Sequence, residues 1–199
     1  MQNQSKVLLR KSIKKIIQQI SAESKLRQSS DVMEKLLNLP EYQNSNRISI
    51  FLSTENEINT IPLLSVMVEQ NKQMFVPTYS GNAMKMLKLH DMKDYENLPV
   101  TKWKIKQPDS DDVSRENPLM TAPLDLILMP GVAFTLNGDR LGHGMGYYDK
   151  FLCDYFKRYP NNENEHKTHL IGLAFKEQIV EELPTDANDW TLDKILTAN

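Results

Sequence analysis

The sequence predicts an α/β fold: a single-domain, three-layer open sheet, mainly parallel, with helices on both faces, spanning residues 1–199. Three observations predict it. Strand-like and helix-like segments alternate along most of the chain, which is the pattern of a parallel sheet built from crossover units. Leu124-Asp-Leu-Ile-Leu-Met-Pro130 is almost continuously apolar, as a strand covered on both faces must be. A chain of 199 residues and 23.0 kDa also suits one domain with a substantial core.

The elements follow in order. Leu9, Ile13, Ile16, Ile17 and Ile20 recur every three or four residues and predict an amphipathic first helix. Arg10 borders that stripe, Lys14 lies further round and Lys11 falls on the far side. These cations read either as groups reaching into a cleft or as solvated charges lying over apolar surface. Ser21 can cap a second helix, with Glu23 in its first turn and Leu26, Met33, Leu36 and Leu37 facing inward, closing near Pro40. Residues 47–52 then alternate and are rich in β-branched and aromatic side chains, so they predict a strand. Thr60 and Pro62 mark a helix start, with Thr60 as the cap. Residues 73–77 form a second strand, giving a βαβ unit with a right-handed crossover and parallel pairing. Residues 84–89 alternate again, and the polar stretch from about His90 to Pro123 reads mostly as loop. After the central strand comes a turn-rich segment, then a helix over 147–158, a buried strand over 168–174, a short amphipathic segment around Val180 and Leu183, and a tail around Leu192 to Leu196.

Composition excludes several classes. Lys plus Arg is 24 against 26 Asp plus Glu, a formal −2, so no global field points to nucleic acid or an anionic membrane. The longest aliphatic run, Leu126 to Met129, stops at Pro130, far short of the ~18 residues of a membrane span. Cys153 is the single cysteine, which removes intrachain disulfides and fits a reducing compartment. The basic segment up to Ile20 lacks the apolar core of a secretory signal, and as a mitochondrial transit peptide it is poor in serine. A cytoplasmic location is therefore expected, with a mitochondrial copy as the alternative; a monomer is expected as well, although no feature of the sequence sets the oligomeric state.

The most informative local feature is Arg140-Leu-Gly-His-Gly-Met-Gly-Tyr-Tyr-Asp149, which follows a core strand and opens a helix. Five of the seven glycines lie between Gly131 and Gly146. Alternate glycines bare successive backbone N–H groups, and a helix N-terminus adds about half a positive charge, so phosphate is the natural guest. A tight turn accounts for the same pattern, because the spacing matches neither the dinucleotide fingerprint nor the GxxxxGK[ST] loop. Arg140 suits bidentate phosphate contact, and His143 reads either with it or as an exposed loop histidine. Asp149, in a first helical turn, is favoured by the dipole alone, but it is also a candidate Mg²⁺ ligand, with Asp189 either a second carboxylate or simply a turn-forming aspartate. Glu57 lies just past a strand's carboxyl end, where open α/β sheets place ligands, and Tyr79 and Trp103 can stack on a flat heterocycle or simply pack.

Taken together these motifs resemble the 5-formyltetrahydrofolate cyclo-ligase (methenyltetrahydrofolate synthetase) family over nearly the whole chain. The resemblance rests on the basic first helix with Leu9-Arg-Lys-Ser12, Ile48-Ser-Ile-Phe-Leu-Ser53 with Glu57-Ile-Asn-Thr60, Phe75-Val-Pro-Thr-Tyr79, Met129-Pro-Gly131, the glycine block ending in Tyr-Tyr-Asp149, and Leu173-Ala-Phe-Lys-Glu-Gln178. It implies an ATP- and Mg²⁺-dependent ligase acting on 5-formyltetrahydrofolate, with or without a polyglutamate tail. By matched position it implies nucleotide contacts from Arg10, Lys11 and Lys14 and from Arg140, Leu141, Gly142, His143, Gly144, Met145, Gly146, Tyr147 and Tyr148. It places Arg140, Tyr148 and Asp149 at the chemistry, Asp149 and Asp189 near the metal, and Thr54, Glu57, Asn59, Tyr79 and Trp103 at the folate. Family members often carry Arg or Gly at position 143, Lys or Gly at 145 and an acid at 59, so His143, Met145 and Asn59 are departures. A small-molecule kinase would need the same loop and carboxylate, and an RNA-binding module would need the basic helix and exposed aromatics.

Overall fold

A computed structural model describes residues 4–101, 105–162, 166–186 and 189–199. At its centre is a six-stranded sheet in the order β3-β2-β1-β4-β7-β8, formed by β1 (Arg47–Ser49), β2 (Gln73–Ser80), β3 (Ala83–Leu89), β4 (Leu126–Met129), β7 (His169–Ala174) and β8 (Lys194–Thr197). All pairings are parallel except the β2–β3 hairpin. The continuous apolar run therefore lies mid-sheet, and β1, α4 (Ile61–Glu69) and β2 form the expected crossover. The order reverses at β1, since β2 lies on one side of it and β4 on the other.

The period of two in the strands sorts the core onto two faces. Leu126 and Leu128 join Ile13 and Ile17 of α1 (Gln4–Gln19), Val32 and Leu36 of α2 (Ala22–Leu37) and Leu64 of α4. Ile127 and Met129 point the other way, into a cluster with Tyr148, Phe151, Leu152 and Tyr155 of α6 (Tyr147–Arg158). All four β4 side chains are fully buried, each contributing about 1.5–3 kcal/mol of burial free energy. Three layers result.

Several local expectations are corrected. Leu26 and Ile16 are 68% and 40% exposed. The buried stripe of α2 instead runs through Gln28, Ser29, Val32 and Leu36, with the Gln28 amide satisfied by Glu177 and by the Lys176 N–H. Thr60 makes no side-chain cap: its hydroxyl donates to the Phe51 carbonyl at 2.6 Å, and the Asn59 amide oxygen accepts from the Ile61 N–H instead. The 90–123 stretch contains α5 (Met92–Asn97), capped by Asp91. α3 (Pro40–Gln43) is a single turn. A 3-10 turn at Lys176–Gln178 stands near the amphipathic segment read around Val180, and the C-terminal tail forms strand β8. No helix among the described residues is long and apolar enough to cross a membrane.

Candidate active site

The carboxyl ends of β1, β2 and β4 open into a cleft of about 1470 Å³, at the point where the strand order reverses and open α/β sheets bind ligands. A site for one small molecule usually occupies about 300–1,000 Å³, so this volume has room for two. One wall is α1, which contributes Lys6, Arg10 and Lys14. Next to it stands β6 (Arg140–Leu141), paired antiparallel with β5 (Ala133–Phe134), with the loop 142–146 that leads into α6.

That loop has the backbone a side chain would resist. Gly144 and Gly146 have φ of 106° and 67°, and Gly146 is the N-cap of α6 without any side-chain cap bond. The first N–H groups of α6 therefore keep their capacity for an anion. Arg10 ties the loop to α1, its Nε donating to the Gly142 carbonyl at 2.7 Å. Arg140 is buried: one guanidinium nitrogen donates to Asp149, a second reaches the Pro130 carbonyl at 3.4 Å, and its Nε has no hydrogen-bond partner.

The other end of the cleft is aromatic and apolar. Tyr79 packs on Tyr147 with ring centroids 4.9 Å apart, and the Tyr147 hydroxyl donates to Gly81 O in the β2–β3 turn. The Tyr148 hydroxyl is buried without a partner of ordinary geometry, facing that of Tyr79. Burial, with Glu57 nearby, pushes both phenols above their usual range, so both stay neutral donors. Burial pushes the Glu57 carboxyl up, but the contact with His143 and the Thr54 N–H at 2.8 Å and hydroxyl at 2.9 Å outweigh it and hold Glu57 below the ordinary carboxylate range.

The cleft thus brings together Arg10, Lys14, the whole segment from Arg140 to Asp149, Thr54, Glu57, Tyr79 and Asp189. Lys11 and Asn59 do not line it: both are exposed, and Asn59 serves the start of α4. Trp103 lies outside the described residues. Sequence reasoning gave Lys6 no role. Lys6 is 8% exposed and its Nζ bridges Asp186 at 2.8 Å and Asp189 at 2.5 Å. Burial lowers its basicity, but the two aspartates more than reverse this and keep it charged. Only a lysine one turn N-terminal to Arg10, on the same helix side, hinted at it. Asp149 and Asp189 each already hold a protein cation, and among the described residues no group of three ligating side chains is poised for a metal.

Comparison with known proteins identifies the family. The 5-formyltetrahydrofolate cyclo-ligase family profile matches residues 2–198. The chain is 41% identical to a mouse protein named 5-formyltetrahydrofolate cyclo-ligase, covering 98% of this chain and 94% of that one. It is 38% identical to a probable 5-formyltetrahydrofolate cyclo-ligase of Caenorhabditis elegans, over 94% and 90% of the two chains. The solved structure of Aquifex aeolicus 5,10-methenyltetrahydrofolate synthetase superposes with a TM-score of 0.74 at 31% identity, covering 96% of this chain and 88% of that one. A profile match over nearly the full length, close relatives of like size and a shared fold establish that this chain belongs to the 5-formyltetrahydrofolate cyclo-ligase family.

Proposed function

We propose that the chain, acting as one domain and as a cytoplasmic monomer, closes 5-formyltetrahydrofolate to 5,10-methenyltetrahydrofolate with consumption of ATP and release of ADP and phosphate. The observation that supports this most is the cleft itself: an uncapped glycine-bounded helix terminus and α1 cations at one end, and the largely enclosed Glu57 with neutral phenols at the other.

A formamide oxygen is a poor leaving group, so it is first activated. The formyl oxygen attacks the γ-phosphorus and the bond to ADP breaks, giving an N5-iminium phosphate. The N10 lone pair then adds to the former formyl carbon and N10 loses its proton. Finally the N5 lone pair expels phosphate, leaving the methenyl cation. No side-chain nucleophile is needed, and the protein supplies positioning and charge neutralisation. Arg10, Lys14 and the amides of the 142–146 loop hold the triphosphate. The buried Nε of Arg140, which has no hydrogen-bond partner, and the buried hydroxyl of Tyr148, which faces only that of Tyr79, offer neutralising donors at the junction of the two substrates. Thr54 holds Glu57 as an acceptor for donors of the reduced pterin, while Tyr79 flanks the ring.

Mg²⁺ usually binds through one or two carboxylates plus substrate phosphates, which fits Asp149 and Asp189 better as receivers of a nucleotide-borne ion than as a resident site. When bound, it would neutralise phosphate charge. Incubation with ATP, Mg²⁺ and 5-formyltetrahydrofolate is expected to produce the methenyl chromophore. A phosphorylated product without that chromophore would point to a kinase and overturn the proposal.

A further inference from the structure

Neighbouring residues of the glycine loop are fastened in two directions. Gly142 is held by Arg10 of α1, whereas the Nε2 of His143 lies 3.5 Å from Glu57 Oε1, on the segment that follows β1. The two oxygens of Glu57 differ. Oε2 receives the N–H and the hydroxyl of Thr54 from its own loop, while Oε1 faces His143 across the cleft. The Glu57 side chain is 11% exposed and that of His143 is 49% exposed, so the carboxylate is the enclosed partner and the ring is its link to solvent. A carboxylate this enclosed, set opposite a triphosphate loop, is costly without a donor on its second oxygen.

We infer that His143 is a positioning residue for substrate recognition: its ring clasps Glu57 Oε1, aims the carboxylate at N–H donors of a reduced pterin, and does not serve as a phosphate ligand. This rests on the proposed folate role of Glu57. The clasp also joins the nucleotide loop to the folate segment, so the two halves of the cleft keep a fixed spacing. Because one carboxylate oxygen carries two lone pairs, His143 and a substrate N–H can share Oε1.

The test uses His143→Ala and His143→Gln in the full chain, with calorimetric binding of 5-formyltetrahydrofolate and KM values for both substrates. For the alanine variant, the folate Kd and KM are expected to rise about fivefold or more while the ATP KM stays within about twofold. Glutamine, which keeps a donor, is expected to recover most of the loss, and in a Glu57→Ala background, which removes both oxygens, His143→Ala should add nothing further. An ATP KM that rises as much as the folate KM would make His143 a phosphate ligand, and unchanged constants would make it a surface histidine; either overturns the inference. Wild-type methenyl formation is measured first, because its absence defeats the proposed function, whereas active wild type with unaltered His143 variants defeats only the clasp.

Discussion

Asp149→Asn separates what one carboxylate does for the fold from what it does for the chemistry. Its partner, Arg140, has a side chain only 5% exposed, and Asp149 is its anionic partner in the structure. Asparagine keeps an acceptor oxygen but removes the charge. A hydrogen bond to a charged group contributes about 1.5–3 kcal/mol, and the 26% exposure of Asp149 lets water replace part of it, so a cost of about 1–3 kcal/mol follows. Against the ~5–15 kcal/mol of an ordinary domain, the variant stays folded. At about 2–4 °C per kcal/mol for a chain of this size, the Tm falls by roughly 2–12 °C. If Asp149 receives the nucleotide's Mg²⁺ as proposed, turnover should fall much further, by about a hundredfold or more, because the carboxylate that would hold the neutralising ion is lost. Thermal unfolding read beside turnover at saturating ATP and folate, across a Mg²⁺ titration, distinguishes the two effects. Turnover within a few-fold of wild type at saturating Mg²⁺ would remove Asp149 from the metal-facing role.

Other expectations are independent of that one. Lys14→Ala should raise the KM for ATP about fivefold or more and leave that for folate nearly unchanged, and equal effects on both would contradict a phosphate contact. Burial pushes the Glu116 carboxyl up, but Thr121, Arg47 and Lys88 outweigh it and bring it down to about 2. Its contribution is therefore present above its ordinary value of 4.5 and lost as the pH falls through about 2. Glu116→Gln should remove up to about 3 kcal/mol at neutral pH and flatten the acid limb of the stability curve, and an unchanged limb would refute it. Tyr155→Phe deletes a buried hydroxyl that receives the Leu124 N–H at 2.6 Å and bonds Thr168 at 2.8 Å. It should cost about 1–3 kcal/mol in denaturant unfolding with kcat unaltered, and a kcat loss would mean that α6 transmits strain to the cleft.

The sheet was legible because its signals are local. Leu126 to Met129 reads as a doubly covered strand from four adjacent side chains, and the structure buries all four. The glycine block was legible for the same reason, since one short segment carries both the bared amides and the helix start. What escaped depends on distance along the chain. Lys6 looks solvated in its own helix because its two aspartates lie 180 and 183 residues away. The Thr60 hydroxyl has the right type for a cap, but the Phe51 carbonyl, folded back onto it, takes the bond. α5 is short and polar, so no apolar period betrays it, and its cap is a single aspartate. Lys11 followed the family pattern into the nucleotide contacts, while its helical angle, about 100° from Arg10, leaves it outside the cleft.

Calorimetric titration of the purified chain with ATP, in the presence and absence of Mg²⁺, addresses the proposed grip on the triphosphate, on which every later step of the proposed reaction depends. One nucleotide per chain, bound more weakly as salt is raised, is the predicted result. Heats no larger than those of dilution under both conditions would contradict it.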